Sequence, residues 1–390
     1  MKHRPLLKNF RVRLPAYHAP QDWAFDWLAQ AHARAEATAV ADEAVYADWQ
    51  PRMAKLVRRF GCSPNHIGAR RSELEDFLHT EWSRMQIFNL HESADGQGLG
   101  LRNAFFSDQA DRAVTDFFAD EGAADAPADL LHVSCTGYAS PSPIQKLVDR
   151  KGWHIQTRTT QVYHMGCYAA VPALRVAAGL LAQPQGGAPL RAEIIHTELC
   201  TLHFNPRDHR PEQLVVQSLF ADGHIRYAMT YGEDDQSARD GAAFEILAVR
   251  EEVVPGSLAD MTWVLSEWGF RMTLAREVPE KIADGLPSFL QRLFADGRRN
   301  YEAECEKAVF AIHPGGPRII DSVKALLHLD ESQITHSRAV LFERGNMSSA
   351  TLPHVWERID KDEQIKSGTL IVSLAFGPGL TMAGTLFEKC

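Results

Sequence analysis

The stretch 166–181, GCYAAVPALRVAAGLL, constrains this chain more than any other segment. It is apolar on every face except at Arg175, so as a helix it must sit inside a core with structure packed all round it. Pro172 fits such a helix only in its first turns. With a charge inside it, the segment falls short of the ~20 apolar residues that a membrane span needs. The flanking sequence offers elements to cover it. LHVSCTG reads as a short strand ending in a turn, and AEIIHTEL as a buried strand. QLVVQSLF is expected to be a further buried strand, after a Pro/Asp/His loop. AAFEILAVREEVV, AVFAIH and TLIVSLAFGPG supply more strands, with IIDSVKALLHL as a helix among them. Strands alternating with helices predict an α/β architecture. The first ninety residues are expected to be helical, on apolar positions such as Trp23, Trp27, Leu56 and Phe60. The polar stretch 236–241 is read as the division between an N-terminal half, 1–240, and a C-terminal half, 241–390.

Charge narrows the possible partners. Lys plus Arg number 41 against 50 Asp plus Glu, a net charge of -9, which argues against a nucleic-acid binder. The six cysteines lie far apart with no C-x-x-C pair, so neither a disulfide framework nor a cysteine-rich zinc module is expected. The start, MKHRPLLKNFRVRLP, lacks the apolar run of a signal peptide. No membrane association is expected, and a reducing cytoplasm is the simplest setting. No Walker A or G-x-G-x-x-G run follows a strand, so no nucleotide cofactor is expected.

Three residues are candidates for chemistry. Cys167 stands at the front of the apolar helix, where unpaired N–H groups and the helix dipole favour a thiolate. A small buried hydrophobe is the alternative. His313 is delivered by an apolar strand to the turn Pro314, Gly315, Gly316, Pro317, where catalytic side chains collect in α/β folds; alternatively it is a hydrogen-bonded turn histidine. Asn346 is read at a strand end in AVLFERGNMSSATL, either as a turn residue or as an amide donor aimed at an oxyanion. Ser348 or Ser349 is expected to cap the following helix. His196 and Cys200, four apart, raise a zinc reading. It is set aside because AEIIHTEL reads as a strand, where such residues stand ~13 Å apart. Cys200 is instead expected to border the active-site cavity.

Cys167 and His313 are 146 residues apart, and His313 and Asn346 are 33 apart. MGCYAA, HTELCTLHF, EQLVVQSLFADG, HPGGPRIID, GNMSSATL and AFGPGLTM resemble, in order and approximate spacing, the signature blocks of type III polyketide synthases of the chalcone synthase kind. The likeness covers most of residues 130–390 and the N-terminal part more loosely.

That resemblance implies the thiolase-like αβαβα five-layered fold, with two related halves, working as a homodimer. It implies Cys167 as acyl-accepting nucleophile, with His313 keeping it a thiolate. His313 and Asn346 would bind the malonyl-CoA thioester carbonyl as CO2 leaves. Acyl-CoA starter and malonyl-CoA are the substrates, with no separate cofactor or metal. Phe220 matches the aromatic gatekeeper between CoA tunnel and elongation cavity, and Ser348 borders the site. Two positions depart from plant members. Met272 stands where a second gatekeeper Phe is expected, and Trp263 occupies a cavity position that is small in plant enzymes. Both argue against an aromatic, plant-like starter; Met272 points to an aliphatic starter and an alkylpyrone or alkylresorcinol type of product, whereas Trp263 could equally narrow the cavity to small starters. Lys55, Arg58 and Arg59, with Arg70 and Arg71, form the basic cluster suited to CoA, or else a solvated helix face. A single-condensation ketoacyl synthase III-like enzyme shares the three residues. A Cys-His-Asn hydrolase is the rival from another class, although the C-G-[SA]-C-[WY] block of papain-like enzymes is missing.

Overall fold

The computed structural model describes residues 4–183, 190–231 and 241–390. Its strands are β1 (Pro5–Arg13), β2 (Tyr17–Pro20), β3 (Ala69–Ser72), β4 (Asp129–Ser134), β5 (Arg158–Tyr163), β6 (Arg191–Leu199), β7 (Asp222–Tyr231), β8 (Ala242–Val253), β9 (Met261–Leu265), β10 (Phe270–Leu274), β11 (Val309–Ile312), β12 (Leu370–Gly377) and β13 (Thr381–Lys389). Its helices are α1 (Gln21–Val40), α2 (Glu43–Phe60), α3 (Leu99–Phe117), α4 (Pro143–Lys151), α5 (Ala170–Leu181), α6 (Pro211–Leu219), α7 (Val278–Asp296), α8 (Tyr301–Glu304), α9 (Pro317–Leu327), α10 (Glu331–Arg344) and α11 (Thr351–Asp360).

Nine strands form one sheet in the order β11-β12-β13-β8-β1-β7-β6-β4-β5. β5, β4 and β6 are parallel neighbours, as are β11 and β12, and the pairings between these groups are antiparallel. Side chains alternate along each strand between two cores. On β12, Ile371 and Ala375 join the core that holds α5 and α11, whereas Val372 and Leu374 join one built on α7 and α9. On β4, Leu131 and Val133 join the first core and Leu130 a third, built on α3 and α4. The two ends of this one sheet thus lie on either side of the inner helices, with outer helices beyond each, which is the thiolase-like layering. The segment that anchors it is α5, whose Val171, Ala173, Leu174 and Ala177 are fully buried, while its one charge, Arg175, reaches Glu251 at 2.9 Å. The division expected at 240/241 falls against residues 232–240, which lie outside the described residues.

Two expectations need correction. QLVVQSLF is not a strand but most of α6. Pro211 starts that helix in its first turn, and Gln213, Leu214 and Ser218 are buried at helical spacing, so the apolar run packs one face rather than two. The first ninety residues are not all helix either. β1 lies in the middle of the sheet between β7 and β8. Its register shifts between Lys8 and Arg11, around Asn9 at φ 60°, and this bulge breaks the two-residue alternation that marks a strand. No described helix is long and apolar enough to cross a membrane.

The interior holds many uncharged titratable groups. Burial holds His32 down to about 4, and His132, His196, His203 and His313 down to about 3. Each takes a proton near pH 6.5 only when the chain unfolds, so the unfolded state gains stability as pH falls below that value. Burial lowers His224 and His354 as well. Asp222 acts in the opposite sense: burial raises it to about 7, so below that pH its protonation favours the folded state, and burial raises Glu198 too. Each group is worth roughly 1.4 kcal/mol per pH unit within its window, and the histidines outnumber the carboxyls. Unfolding free energies from denaturant titrations at pH 7.5, 6 and 5 are expected to fall by several kcal/mol per pH unit below pH 6.5. A flat profile would contradict neutral burial of these rings.

Candidate active site

The site forms at the carboxyl ends of the parallel strands, where chains leaving a sheet expose side chains and free N–H groups. Cys135 and Thr136 follow β4, Cys167 follows β5, Cys200 follows β6 and His313 follows β11. Between β5 and α5 the chain turns sharply through His164 (φ 60°) and Gly166 (φ 88°). A Cβ on Gly166 would stand 2.3 Å from Pro378, just beyond β12, so only glycine allows this approach. The N–H of Gly166 donates to Cys135 Sγ at 2.9 Å. Cys167 Sγ lies 3.8 Å from Ser348 Oγ, its one described hydrogen-bond partner.

β12 fixes the backbone of the histidine: the N–H of His313 donates to Leu374 O at 2.7 Å. The ring of His313 is 1% exposed, and neither of its nitrogens has a hydrogen-bond partner. Asn346 corrects a further expectation. It follows α10, not a strand, because AVLFER is the last turns of that helix, closed by Gly345 at φ 71°. Asn346 is instead held by a two-way bridge to the end of α6. Its N–H donates to Leu219 O at 3.0 Å and its carbonyl accepts from Ala221 N–H at 2.8 Å, which brackets Phe220. Ser348 and Ser349 do not cap α11, since the turn is stabilised from the other direction: Asn346 Oδ1 accepts from Ser348 N–H at 2.9 Å and from the Thr351 hydroxyl at 3.3 Å. That fixes the amide and leaves Nδ2 as a donor without a described partner.

A narrow apolar cavity touches Cys167. Cys135, Cys200, Phe220, Trp263, Met272 and Ser348 are among its walls, and its volume is about 20 Å³. Trp263 is pinned there, its Nε1–H donating to Cys135 O at 2.6 Å and its ring edge-on to His203 and Phe270. The expected cavity residues Phe220, Met272, Trp263, Cys200 and Ser348 thus meet at one point. Burial pushes the Cys167 thiol up to about 12, and it holds His313 down to about 3. At neutral pH both are uncharged at rest, which differs from a thiolate standing ready beside the imidazole.

The expected CoA cluster divides. Lys55, Arg58 and Arg59 are exposed on α2, where Arg58 pairs with Asp26 at 2.7 Å and Arg59 lies over Phe60. Arg70 does not join them. On β3 alternate residues point inward, so Arg70 and Ser72 are buried while Arg71 turns outward to Pro15 O at 3.0 Å. His196 is engaged at both nitrogens, by Ser349 Oγ at 3.0 Å and Tyr227 OH at 3.1 Å.

Sequence reasoning missed Glu198 and Cys135. Glu198 is fully buried beside the site and accepts from Cys135 N–H at 2.9 Å, Thr136 Oγ1 at 2.8 Å and Ser349 Oγ. The only signal was an acid inside a strand otherwise read as wholly buried.

The open ring of His313 generates an expectation about stability. A buried polar group without a partner costs ~1–3 kcal/mol. His313→Leu is therefore expected to unfold about 1 kcal/mol later than wild type in a denaturant titration while losing all activity. His196→Leu, which strands Ser349 and Tyr227, is expected to be about 2 kcal/mol less stable. If His313→Leu proved the more damaging to stability, the ring would be bonded in solution.

Comparison with known proteins identifies the family. Residues 113–233 match the N-terminal domain of chalcone and stilbene synthases, and residues 245–390 the C-terminal domain. Type III polyketide synthase C of Arabidopsis thaliana is 30% identical over 265 residues, 67% of this chain and 67% of that protein. Probable polyketide synthase 1 of Dictyostelium discoideum is 30% identical over 287 residues, 71% of this chain but only 8% of that much longer protein. In fold, the crystal structure of PKS-I from the brown alga Ectocarpus siliculosus superposes with a TM-score of 0.83 at 21% identity, covering 100% of this chain and 99% of the other. The C-terminal type III polyketide synthase domain of Steely1 from Dictyostelium gives 0.78 at 22% identity, with 99% of each chain covered. The chain therefore belongs to the chalcone and stilbene synthase family, the type III polyketide synthases of the thiolase superfamily.

Proposed function

We propose that this chain condenses malonyl-CoA, with loss of CO2, onto an acyl starter carried on Cys167, and that its products are alkylpyrones or alkylresorcinols. The observation that carries this reading is the pair of uncharged donors without described protein partners, the His313 ring and Asn346 Nδ2, with Asn346 bonded to the N–H of Ser348, whose Oγ lies 3.8 Å from Cys167 Sγ. In the first step His313 takes the Cys167 proton as sulfur attacks the acyl-CoA carbonyl, and the departing CoA thiolate takes that proton away. In the second, the malonyl carboxylate leaves as CO2 and its electron pair moves onto the thioester oxygen. A neutral imidazole N–H and an amide N–H stabilise that oxyanion without protonating the carbanion. The carbanion then attacks the Cys167 thioester and expels the thiolate.

Cavity shape supports an aliphatic starter. The cavity at Cys167 shares Cys200, Phe220, Trp263 and Met272 with a second of about 30 Å³, and that one shares Arg70, Phe77 and Thr201 with a third that reaches Tyr17 and Leu78. Each of the first two has room for about one water. Small rotations of the flexible Met272 would admit a slender alkyl chain more readily than a flat ring. The same reading takes 1–240 and 241–390 as the two related halves, with the exposed Lys55, Arg58 and Arg59 meeting the CoA phosphates. It takes the chain to act as a homodimer in a reducing cytoplasm. β5 has a neighbour on one side only, and an open strand edge invites pairing with a second copy.

The triad variants separate the steps. Cys167→Ala is expected to lose the starter mass adduct yet still turn malonyl-CoA into acetyl-CoA. Asn346→Ala should acylate but decarboxylate roughly 10²–10³-fold more slowly, and His313→Ala should fail at both. A hydrolase would release free acid from acyl-CoA and make no acetyl-CoA from malonyl-CoA. For the starter, kcat/KM is expected to be higher for fatty acyl-CoAs than for 4-coumaroyl-CoA, and the reverse order would refute the aliphatic assignment.

A further inference from the structure

The line of cavities leading away from Cys167 meets a charge. Arg70 is 7% exposed and lies in the wall common to the second and third cavities. Its Nε donates to Gln21 Oε1 at 2.9 Å, and its Nη1 to the carbonyls of Gln217 at 2.9 Å and Phe220 at 2.7 Å. All three acceptors are neutral. Nη2 has no described hydrogen bond and, unlike the ring nitrogens of His313, is not sealed from a water-sized molecule. The carboxyl that acts on Arg70 from a distance, Asp222, is already occupied by Thr201 N–H and Oγ1, both at 2.9 Å, and Glu73 N–H at 2.8 Å. Buried cations are normally paired, because an uncompensated one is costly to hold out of water. Among the described residues this one has no carboxylate within ion-pair distance. The remainder of the second cavity is largely hydrocarbon, including Phe77, Phe204, Val216, Phe270, Trp263 and Met272.

We propose that Arg70 selects the far end of the starter: Nη2 receives a terminal carboxylate, so the preferred starters are ω-carboxyacyl thioesters, in which one carboxyl of a dicarboxylic acid is esterified to CoA and the other is free. This rests on the condensing function above and names its substrate class. A largely apolar line of cavities with a lone guanidinium in its wall is complementary to a hydrocarbon chain with an anionic tip. It is poorly matched to the diphosphate of CoA, whose charges and hydration would have to pass the aromatic walls. A carboxylate also satisfies the open Nη2 with a charge-assisted hydrogen bond, a stronger type than neutral ones.

The test compares wild-type kcat/KM for paired series of methyl-ended and ω-carboxy acyl-CoAs from four to twelve carbons, with the matching N-acetylcysteamine thioesters, which carry no phosphate. At the chain length that reaches Arg70, the ω-carboxy member is expected to be preferred by about tenfold or more, with either carrier. Arg70→Gln should abolish that preference and Arg70→Lys should restore part of it. Because Arg70 also holds the Phe220 carbonyl, the wild-type series is what decides the matter, whether or not Arg70→Gln folds. Equal or better use of methyl-ended chains at every length overturns the proposal. So does an Arg70→Gln loss confined to CoA thioesters and independent of the acyl end, which would assign Arg70 to the phosphates. Either result leaves the condensing function intact if malonyl-CoA is still decarboxylated and extended, whereas absence of both reactions would remove that function itself.

Discussion

Glu198 joins the parts of the site that arise far apart in the chain. Its carboxyl accepts from Cys135 N–H at 2.9 Å and Thr136 Oγ1 at 2.8 Å, after β4, and from Ser349 Oγ, in the turn before α11. Ser349 passes the link on to His196, and His196 to Tyr227 in the centre of β7. Taking a carboxyl out of water is costly unless its acceptors are met, and here they are met by groups that must not move if the cavity is to keep its shape. Cys135 then receives the Gly166 N–H in the turn that leads to Cys167. Ser348, beside Ser349, is the partner of Cys167 itself. The acid is thus structural in its contacts and local to the chemistry in its position.

The layered fold makes such an arrangement possible. Because α5 is covered on all sides, the strands flanking it bury both faces, and polar side chains on them are forced to find partners inside. Glu193, His196, Thr197 and Glu198 on β6 are all buried. Near the strand ends, where the ladder stops, groups can remain open for a ligand. The His313 ring is the clearest case, its backbone tied to β12 and both of its nitrogens free.

Cys167 and His313 were legible in the sequence because each sits between a strong apolar element and a forced turn, and such punctuation survives without knowledge of the fold. Asn346 was legible as a residue but not as a place, since AVLFER is apolar enough for a strand and only its packing against β11 makes it a helix. α6 misled for the same reason. β1 was hidden by its bulge at Asn9, where the alternation fails for a cause that lies in the partner strands. Arg70 and Arg71 are adjacent and chemically alike, and the pleat of a four-residue strand sends one inward and the other out. No composition argument separates them. Glu198 was missed because a carboxylate in a buried run has the same sequence appearance whether it is paired to a cation, capped by hydroxyls or misread.

On the proposed condensing function, the distribution of charge follows from what a carbanion tolerates. A cation or acidic proton touching the reacting carbon would quench it, and a standing thiolate would be exposed to any electrophile that entered. Burial avoids both by holding Cys167 and His313 neutral, with Glu198 adding to the cost of a thiolate. Charge then develops only when a substrate fills the cavity and supplies the carbonyl on which it can rest, where fixed donors are worth far more than in water. Arg70, the one buried cation in this line of cavities, is kept on the far side of Phe220 and Met272 from the sulfur, in the second cavity rather than the first. At that remove it is able to bind an anion without competing for the enolate. The two side chains between them, an aromatic ring and a thioether, carry no titratable group and so separate the two regions without a charge of their own.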